Sequence, residues 1–170
     1  MADEIAPPTF SAPFISSTMG VDPAWLDYNG HLNMAYYHVL FDRAVDEAFA
    51  LVGLGPDHLR EANCSYFVAE IHTLYQREVR AADTVRVTLQ LVDHDEKRLH
   101  FYQEIRHASE GWVAATCENL SLHVDMTSRK VTPFPAKILD NLAVMKAAHD
   151  RLERPAALGR VIGIRRRDAS

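Results

Sequence analysis

The stretch Asp27-Tyr28-Asn29-Gly30-His31-Leu32-Asn33 runs directly into Met34-Ala35-Tyr36-Tyr37-His38-Val39-Leu40-Phe41-Asp42-Arg43-Ala44-Val45-Asp46-Glu47-Ala48-Phe49-Ala50-Leu51-Val52. The second part reads as one long helix, stopped by Gly53 and Gly55-Pro56. Its polar side chains are His38, Asp42, Arg43, Asp46 and Glu47. At about 100° per residue they cover roughly half of the circumference, and apolar residues fill the rest. Arg43 stands i,i+4 from Glu47 and i,i+3 from Asp46, so the polar side is expected to pair with itself. An apolar stripe that wide asks for a concave partner such as a curled sheet.

The polar part in front of the helix carries the chemistry. Asp27 offers a carboxylate, Asn29 and His31 can hold a substrate or a water, and Gly30 permits a tight turn or a close approach to a ligand. The N–H groups and positive dipole end of the helix start favour a developing negative charge. A carboxylate beside such a start suits hydrolysis. An Asp or Asn ahead of a helix also serves as a cap, and a glycine as a turn. Asp27, Asn29, His31 and Asn33, spaced by two, exceed what one cap requires.

Upstream, Phe14 to Val21 alternates, with Ile15, Ser17, Met19 and Val21 on one side, and reads as a strand that ends at the Asp22-Pro23 turn. Downstream, Asp57 to Asn63 is a connection, followed by four extended segments. Tyr66 to Arg80 puts Phe67, Ala69, Ile71, Thr73, Tyr75 and Val79 on one face. Thr84 to Val92 sets Val85, Val87, Leu89 and Leu91 against Thr84, Arg86, Thr88 and Gln90. Arg98 to Arg106 groups Leu99, Phe101 and Ile105. Trp112 to Val124 ends with Leu120, Leu122 and Val124 on one face. Period two argues for half-buried antiparallel strands. Hairpin connections are expected at Ala81-Ala82-Asp83, Asp93 to Lys97, Ser109-Glu110-Gly111 and Asp125 to Ser128. Ala136 to Leu152 reads as a second amphipathic helix. The fold class is therefore α+β, a long helix against a curved antiparallel sheet. Residues 1–12, with Pro7-Pro8 and few apolar anchors, read as a flexible arm, residues 13–152 as the domain, and residues 153–170 as a basic tail.

A chain of 170 residues is expected to form one domain that buries about 70% of its unfolded surface. The net charge of −5 argues against general nucleic-acid binding. No stretch has the length of a membrane span, and no signal peptide is visible. With that start, Cys64 and Cys117 read as reduced thiols of a cytoplasmic protein.

Nine histidines invite a metal reading, but there is no His-Glu-x-x-His run and no Cys-x-x-Cys pair. Glu70 and His72 share a strand face and could share a ligand, though a neighbour or water usually satisfies a strand histidine. No Gly-x-Ser-x-Gly elbow, P-loop or dinucleotide fingerprint occurs. Trp25, Tyr28, Tyr36 and Tyr37 gather near the motif, with Tyr66, Phe67 and Trp112 farther on. Core packing accounts for most such rings, and a subset could face a ligand cation.

Asp-Tyr-Asn-Gly-His-Leu-Asn followed by an apolar helix resembles the active-site motif of hotdog-fold thioesterases. Asp27 and Gly30 resemble the 4-hydroxybenzoyl-CoA thioesterase-like group. Asp27, Asn29, His31 and Asn33 resemble plant acyl-carrier-protein thioesterases. Val21 to Asn33, Val79 to His107 and Leu120 to Asp125 resemble the thioesterases associated with carnitine dehydrogenase, including betainyl-CoA thioesterases. The resemblance implies a hotdog fold, a homodimer or a multiple of it, and an acyl-CoA substrate whose coenzyme A is the only cofactor-like group.

It also implies Asp27 as base or nucleophile, Asn29 and His31 as orienting groups, and N–H groups near His31 to Asn33 as oxyanion donors. For a betainyl group it implies aromatic faces, with Tyr36, Tyr37, Tyr66, Phe67 and Trp112 as candidates, and a carboxylate such as Glu70. The 4-hydroxybenzoyl-CoA type has extra residues between its glycine and the helix-start Asn, where only His31-Leu32 stand here. A carrier-protein thioesterase remains open. A hydratase of the same fold resembles Asp-x-Asn-Pro-x-His, which places His one position later than His31. A non-catalytic acyl-binding module is the third alternative.

Overall fold

The computed structural model describes residues 8–164. Its elements are strands β1 (Phe14–Ile15) and β2 (Met19–Gly20), helices α1 (Met34–Ala50) and α2 (Pro56–Ala62), strands β3 (Cys64–Tyr75), β4 (Thr84–His94), β5 (Arg98–His107), β6 (Val113–Asp125) and β7 (Lys130–Val131), and helix α3 (Ala136–His149). The sheet order is β1-β4-β5-β6-β3, with β2 also on β4 and β7 on β6, and every pairing is antiparallel.

The sheet wraps α1 because period two meets period 3.6 across one interface. Val85, Val87, Leu89 and Leu91 of β4, with Leu99, Phe101 and Ile105 of β5, turn their side chains inward and are buried. They meet Tyr37, Leu40, Phe41 and Ala44 at one end of α1, and Val45, Ala48 and Phe49 at the other. Helix α3 closes the second end with Ile138, Leu142 and Met145. This is the helix-in-sheet arrangement expected from the sequence.

Four local expectations are corrected. The first strand is two short pieces. Phe14 and Ser16 point inward, then Met19 and Val21 do, so the inward parity switches between residues 16 and 19 and Ile15 and Ser17 are exposed. Ala81-Ala82-Asp83 is not a hairpin connection, because β3 ends at Tyr75 and pairs with β6, leaving β4-β5-β6 as the meander. Asp57 to Asn63 is largely helix α2, which carries Pro56 at its first turn and ends on Asn63 at φ 51°. Helix α3 ends at His149 rather than Leu152.

Strand β3 also departs from its expected face. Its register against β6 shifts between Val68 and Glu70. The extra residue of such a bulge reverses side-chain parity. Phe67, Glu70 and His72 therefore fall on the face away from α1. Tyr66, Val68, Ile71, Thr73 and Tyr75 face it.

The polar side of α1 pairs with other elements rather than with itself. Glu47 accepts hydrogen bonds from Ser17 N–H (2.8 Å) and its hydroxyl (2.5 Å). Asp46 accepts one from the Tyr66 hydroxyl at 3.0 Å. Arg43 lies over the Trp25 ring, 5.1 Å from its centroid.

Candidate active site

The motif folds as a closed turn. The N–H of Asp27 donates to the His31 carbonyl (3.0 Å), and the N–H of Gly30 donates to the Asp27 carbonyl (3.0 Å). Leu26 and Leu32 form a bridge around it. Gly30 has φ +80°, which favours glycine at this turn position. Leu32 is 1% exposed, and its N–H donates to the Val79 carbonyl (2.8 Å), which anchors the turn to the segment after β3.

Within this turn the Asp27 carboxylate is held by a hydrogen bond at one oxygen and lies near His31 with the other. Oδ1 accepts from the Asn29 N–H at 2.8 Å. Oδ2 stands 3.7 Å from His31 Nδ1, and the side chains are 18% and 33% exposed respectively. The carboxylate is thus sheltered yet reachable. Asn33 is the cap of α1: its Oδ1 accepts from the Ala35 N–H (3.0 Å).

Hydrogen bonding narrows the choice of oxyanion donors. The Leu32 N–H is taken by Val79 and the Asn33 N–H by the Trp25 carbonyl (3.0 Å). Among the described residues, the N–H groups of His31 and Met34 have no protein acceptor. These two flank the turn and the helix start.

Tyr37 belongs to the same region. Burial pushes its phenol above the ordinary range, opposed by a backbone hydrogen bond with Val79 and reinforced by the charges of Tyr75, Glu78 and Asp27. Tyr37 remains a neutral O–H, 3.5 Å from the Arg77 carbonyl, with its ring edge-on to Tyr75 at 5.1 Å. The Tyr75 hydroxyl in turn donates to the Met34 carbonyl at 3.2 Å. Tyr36 stacks on Trp25 with centroids 5.4 Å apart. Asp27, Asn29, Gly30, His31, Asn33, Tyr36 and Tyr37 are therefore brought together. Tyr75, Arg77 and Glu78 join them without a signal in their own spacing, because the end of β3 delivers them.

The other binding candidates lie elsewhere in the chain. Tyr66 sits beside Asp46, and its ring packs edge-on to Phe49 at 5.6 Å. Asp46 is twelve residues into α1, roughly 18 Å along the axis from its start. Glu70 lines a cleft of about 510 Å³ on the outer face of the sheet with His72, His100 and Glu118. Phe67 shares that outer face. Trp112 carries the Arg77 guanidinium 4.1 Å from its centroid and the His107 ring stacked at 4.9 Å. The described chain thus does not gather Tyr66, Phe67 and Glu70 around Asp27, whereas Trp112 packs on the cluster that holds Leu32 and Tyr37.

Among the described residues, the one group of three or more metal-ligating side chains is His58, Cys64 and His123, and none of these belongs to the motif. No helix of the described residues is long and apolar enough to cross a membrane.

Comparison with known proteins places this geometry. The profile of the Thioesterase-like superfamily matches residues 21–142. The betainyl-CoA thioesterase of Pseudomonas aeruginosa is 35% identical over 142 residues, 84% of this chain and 89% of that protein. The L-carnitine dehydrogenase/betainyl-CoA thioesterase of Rhizobium meliloti is 36% identical over 146 residues, 86% of this chain and only 29% of that longer protein. A Staphylococcus aureus protein solved in complex with CoA superposes with a TM-score of 0.83 at 25% identity, covering 93% of this chain and 100% of its own. The hotdog fold, the motif at the helix start and the match over most of its length agree: the chain belongs to the thioesterase-like superfamily and is a thioester hydrolase.

Proposed function

We propose that this enzyme hydrolyses betainyl-CoA to betaine and coenzyme A, with Asp27 as the general base. The observation that carries the mechanism is the placement of the Asp27 carboxylate, 3.7 Å from His31 Nδ1 and beside the start of α1. Water adds to the thioester carbon and gives its proton to Asp27. Negative charge collects on the former carbonyl oxygen, where the N–H groups of His31 and Met34 serve as donors. One such donor is worth about 10²–10³ in rate. Collapse breaks the C–S bond, and the proton passes to the departing thiolate. Asn29 and His31 orient the water and the carboxylate. Asn33 holds the helix start in place. The reading requires no metal or bound cofactor for hydrolysis, since coenzyme A leaves as product.

The betainyl assignment rests on the names of the curated relatives and on the aromatic surface beside the motif. A trimethylammonium group is drawn to π faces by roughly 0.5–2 kcal/mol each. Tyr36 stands beside the motif, stacked on Trp25, and Tyr37 follows it on α1, edge-on to Tyr75.

We further infer a homodimer, or a multiple of it, in the cytoplasm. Strand β3 ends the sheet, and Val68, Ile71 and Tyr75 on its helix-facing side are 54%, 43% and 45% exposed. A long apolar edge strand of this kind is normally covered. Pairing through it sets two motif helices side by side. Cys64 and Cys117 are free thiols, as a reducing compartment allows.

Release of free thiol from a panel of acyl-CoAs tests the assignment. A cation site gives betainyl-CoA a kcat/KM at least about tenfold above that of butyryl-CoA, since about 1.4 kcal/mol is a factor of ten. Equal values remove the betainyl assignment and leave a general short-chain thioesterase.

A further inference from the structure

A group of donor side chains that hydrolysis does not use sits where α2 meets the sheet, past the C-terminal end of α1. Helix α2 places His58 over Cys64, the first residue of β3, and over His123 on β6. The two strands are in register there, Cys64 opposite Asp125 and Tyr66 opposite His123. Their donor atoms, one nitrogen from each histidine and the sulfur, all lie within 4.8 Å of one another. The two Nε2 atoms are 2.9 Å apart.

The tautomer of His123 can be assigned from its partners. Nδ1 stands 2.9 Å from the Thr132 carbonyl, which can only accept, so Nδ1 carries the proton. Nε2 is then a bare lone pair aimed at His58. A ring N–H held by a backbone carbonyl is the usual support of a metal-ligating histidine. The junction that presents Cys64 is held as well. Asn63 adopts φ 51°, its side chain donates to Thr127 Oγ1 at 2.7 Å, and its carbonyl accepts from the Met126 N–H at 2.9 Å. His58 and His123 are buried, while Cys64 is half-buried and leaves a path to solvent.

We propose that His58 Nε2, Cys64 Sγ and His123 Nε2 form a zinc site, with water in the fourth position. Two imidazoles and one thiolate are a donor set that zinc takes. Tetrahedral Zn–N bonds of about 2.05 Å hold two nitrogens roughly 3.3 Å apart, so the histidines need to open by only about 0.4 Å. Burial and the neighbouring His123 hold the His58 imidazole below its ordinary pKa, which favours the neutral form that ligates a metal. Burial and Asp125 push the Cys64 thiol up. Binding therefore exchanges the thiol proton for the metal, releasing that proton to solvent, while the His58 proton moves to Nδ1. The bound ion ties α2 to β3 and β6 and has no part in thioester hydrolysis.

The test uses the untagged full chain. Metal content is read by native mass spectrometry after expression with added zinc, and cobalt is titrated into chelator-treated protein. One zinc per chain is expected, with a near-ultraviolet thiolate-to-cobalt band that zinc displaces and a higher melting temperature in the loaded form. Cys64→Ser removes the band and His58→Gln weakens zinc binding, each by more than the roughly 10–100-fold that loss of an outer-shell partner costs. Cys117→Ser leaves both unchanged. Circular dichroism checks the fold of each variant. A wild-type chain that retains no zinc overturns the site, as does a cobalt band that survives in folded Cys64→Ser or is lost with Cys117→Ser.

Discussion

Asp27→Asn separates chemistry from folding, and the geometry of the turn sets both magnitudes. Asn keeps the shape of Asp, and its Oδ1 still accepts from the Asn29 N–H that Asp27 holds at 2.8 Å. What the fold loses is the extra strength of a charged acceptor, about 0.5–1.5 kcal/mol. For a chain of this length that lowers the melting temperature by about 1–6 °C. What the reaction loses is the base, worth about 10²–10⁴ in kcat, or roughly 2.7–5.5 kcal/mol of transition-state stabilisation. The second effect exceeds the first by several-fold. The protein is assayed at about 25 °C, where a change of 1.5 kcal/mol leaves a domain of ordinary stability folded. The prediction is a folded variant with kcat down by two orders of magnitude or more. Thiol release under saturating acyl-CoA measures kcat, and thermal denaturation measures the fold. A variant that keeps most of its kcat removes Asp27 from the mechanism. A variant whose activity loss tracks its unfolded fraction makes the residue structural.

Other perturbations follow from the same structure. Gly30→Ala meets no atom within 4 Å of the new Cβ, so its cost is the positive φ alone, about 1–2 kcal/mol; kcat should fall further than stability, because the turn sets the Asp27–His31 separation, and equal activity would show that the turn tolerates displacement. Tyr66→Phe removes the donor to Asp46 while keeping the ring on Phe49, and should cost about 0.5–1.5 kcal/mol in chemical denaturation without changing KM. The hydrogen bond from Arg98, with those from the Lys97 and Arg98 backbones, holds the Asp95 carboxyl below its ordinary value of 3.8. Its contribution to stability is therefore complete above that pH and is lost as pH falls through the depressed value; Asp95→Asn should flatten this part of the acid limb in melting curves, and an unchanged limb would refute the assignment. Val68→Lys on the open edge of β3 should shift sedimentation from dimer to monomer, and a wild-type chain that is already monomeric at micromolar concentration would refute the dimer.

The helix and the meander were legible because their periods are unambiguous. Leu40, Ala44 and Ala48 repeat at helical spacing, and Val85, Val87, Leu89 and Leu91 alternate without a break. The motif residues were legible because they are contiguous, so a single turn gathers Asp27, Asn29, Gly30 and His31. The placement of β3 was not. A bulge leaves no mark in apolar alternation, and once Ala69 is skipped Phe67 joins Glu70 and His72 on the outer face. Pairing partners were equally hidden, since two amphipathic strands adjacent in sequence read as a hairpin whether or not they touch. Cys64 and His123 lie 59 positions apart in the chain and meet only through that pairing. Trp112 looked like a free aromatic face, but Arg77 and His107 come from other elements to occupy it.

The pairing of β3 with β6 also orders the folding reaction. Its matched residues are separated by 40 positions at Tyr75–Ala115 and by 61 at Cys64–Asp125, whereas the β4–β5 hairpin closes over a few residues at Asp95. Loop-closure entropy rises with separation, so local hairpins are expected to form early and distant pairings late. On the ribosome, α1 and β3 emerge before β6 is made. Strand β3 is thus synthesised before the β4-β5-β6 meander and docked after it, and conservative truncations along β3 are expected to speed unfolding rather than slow refolding.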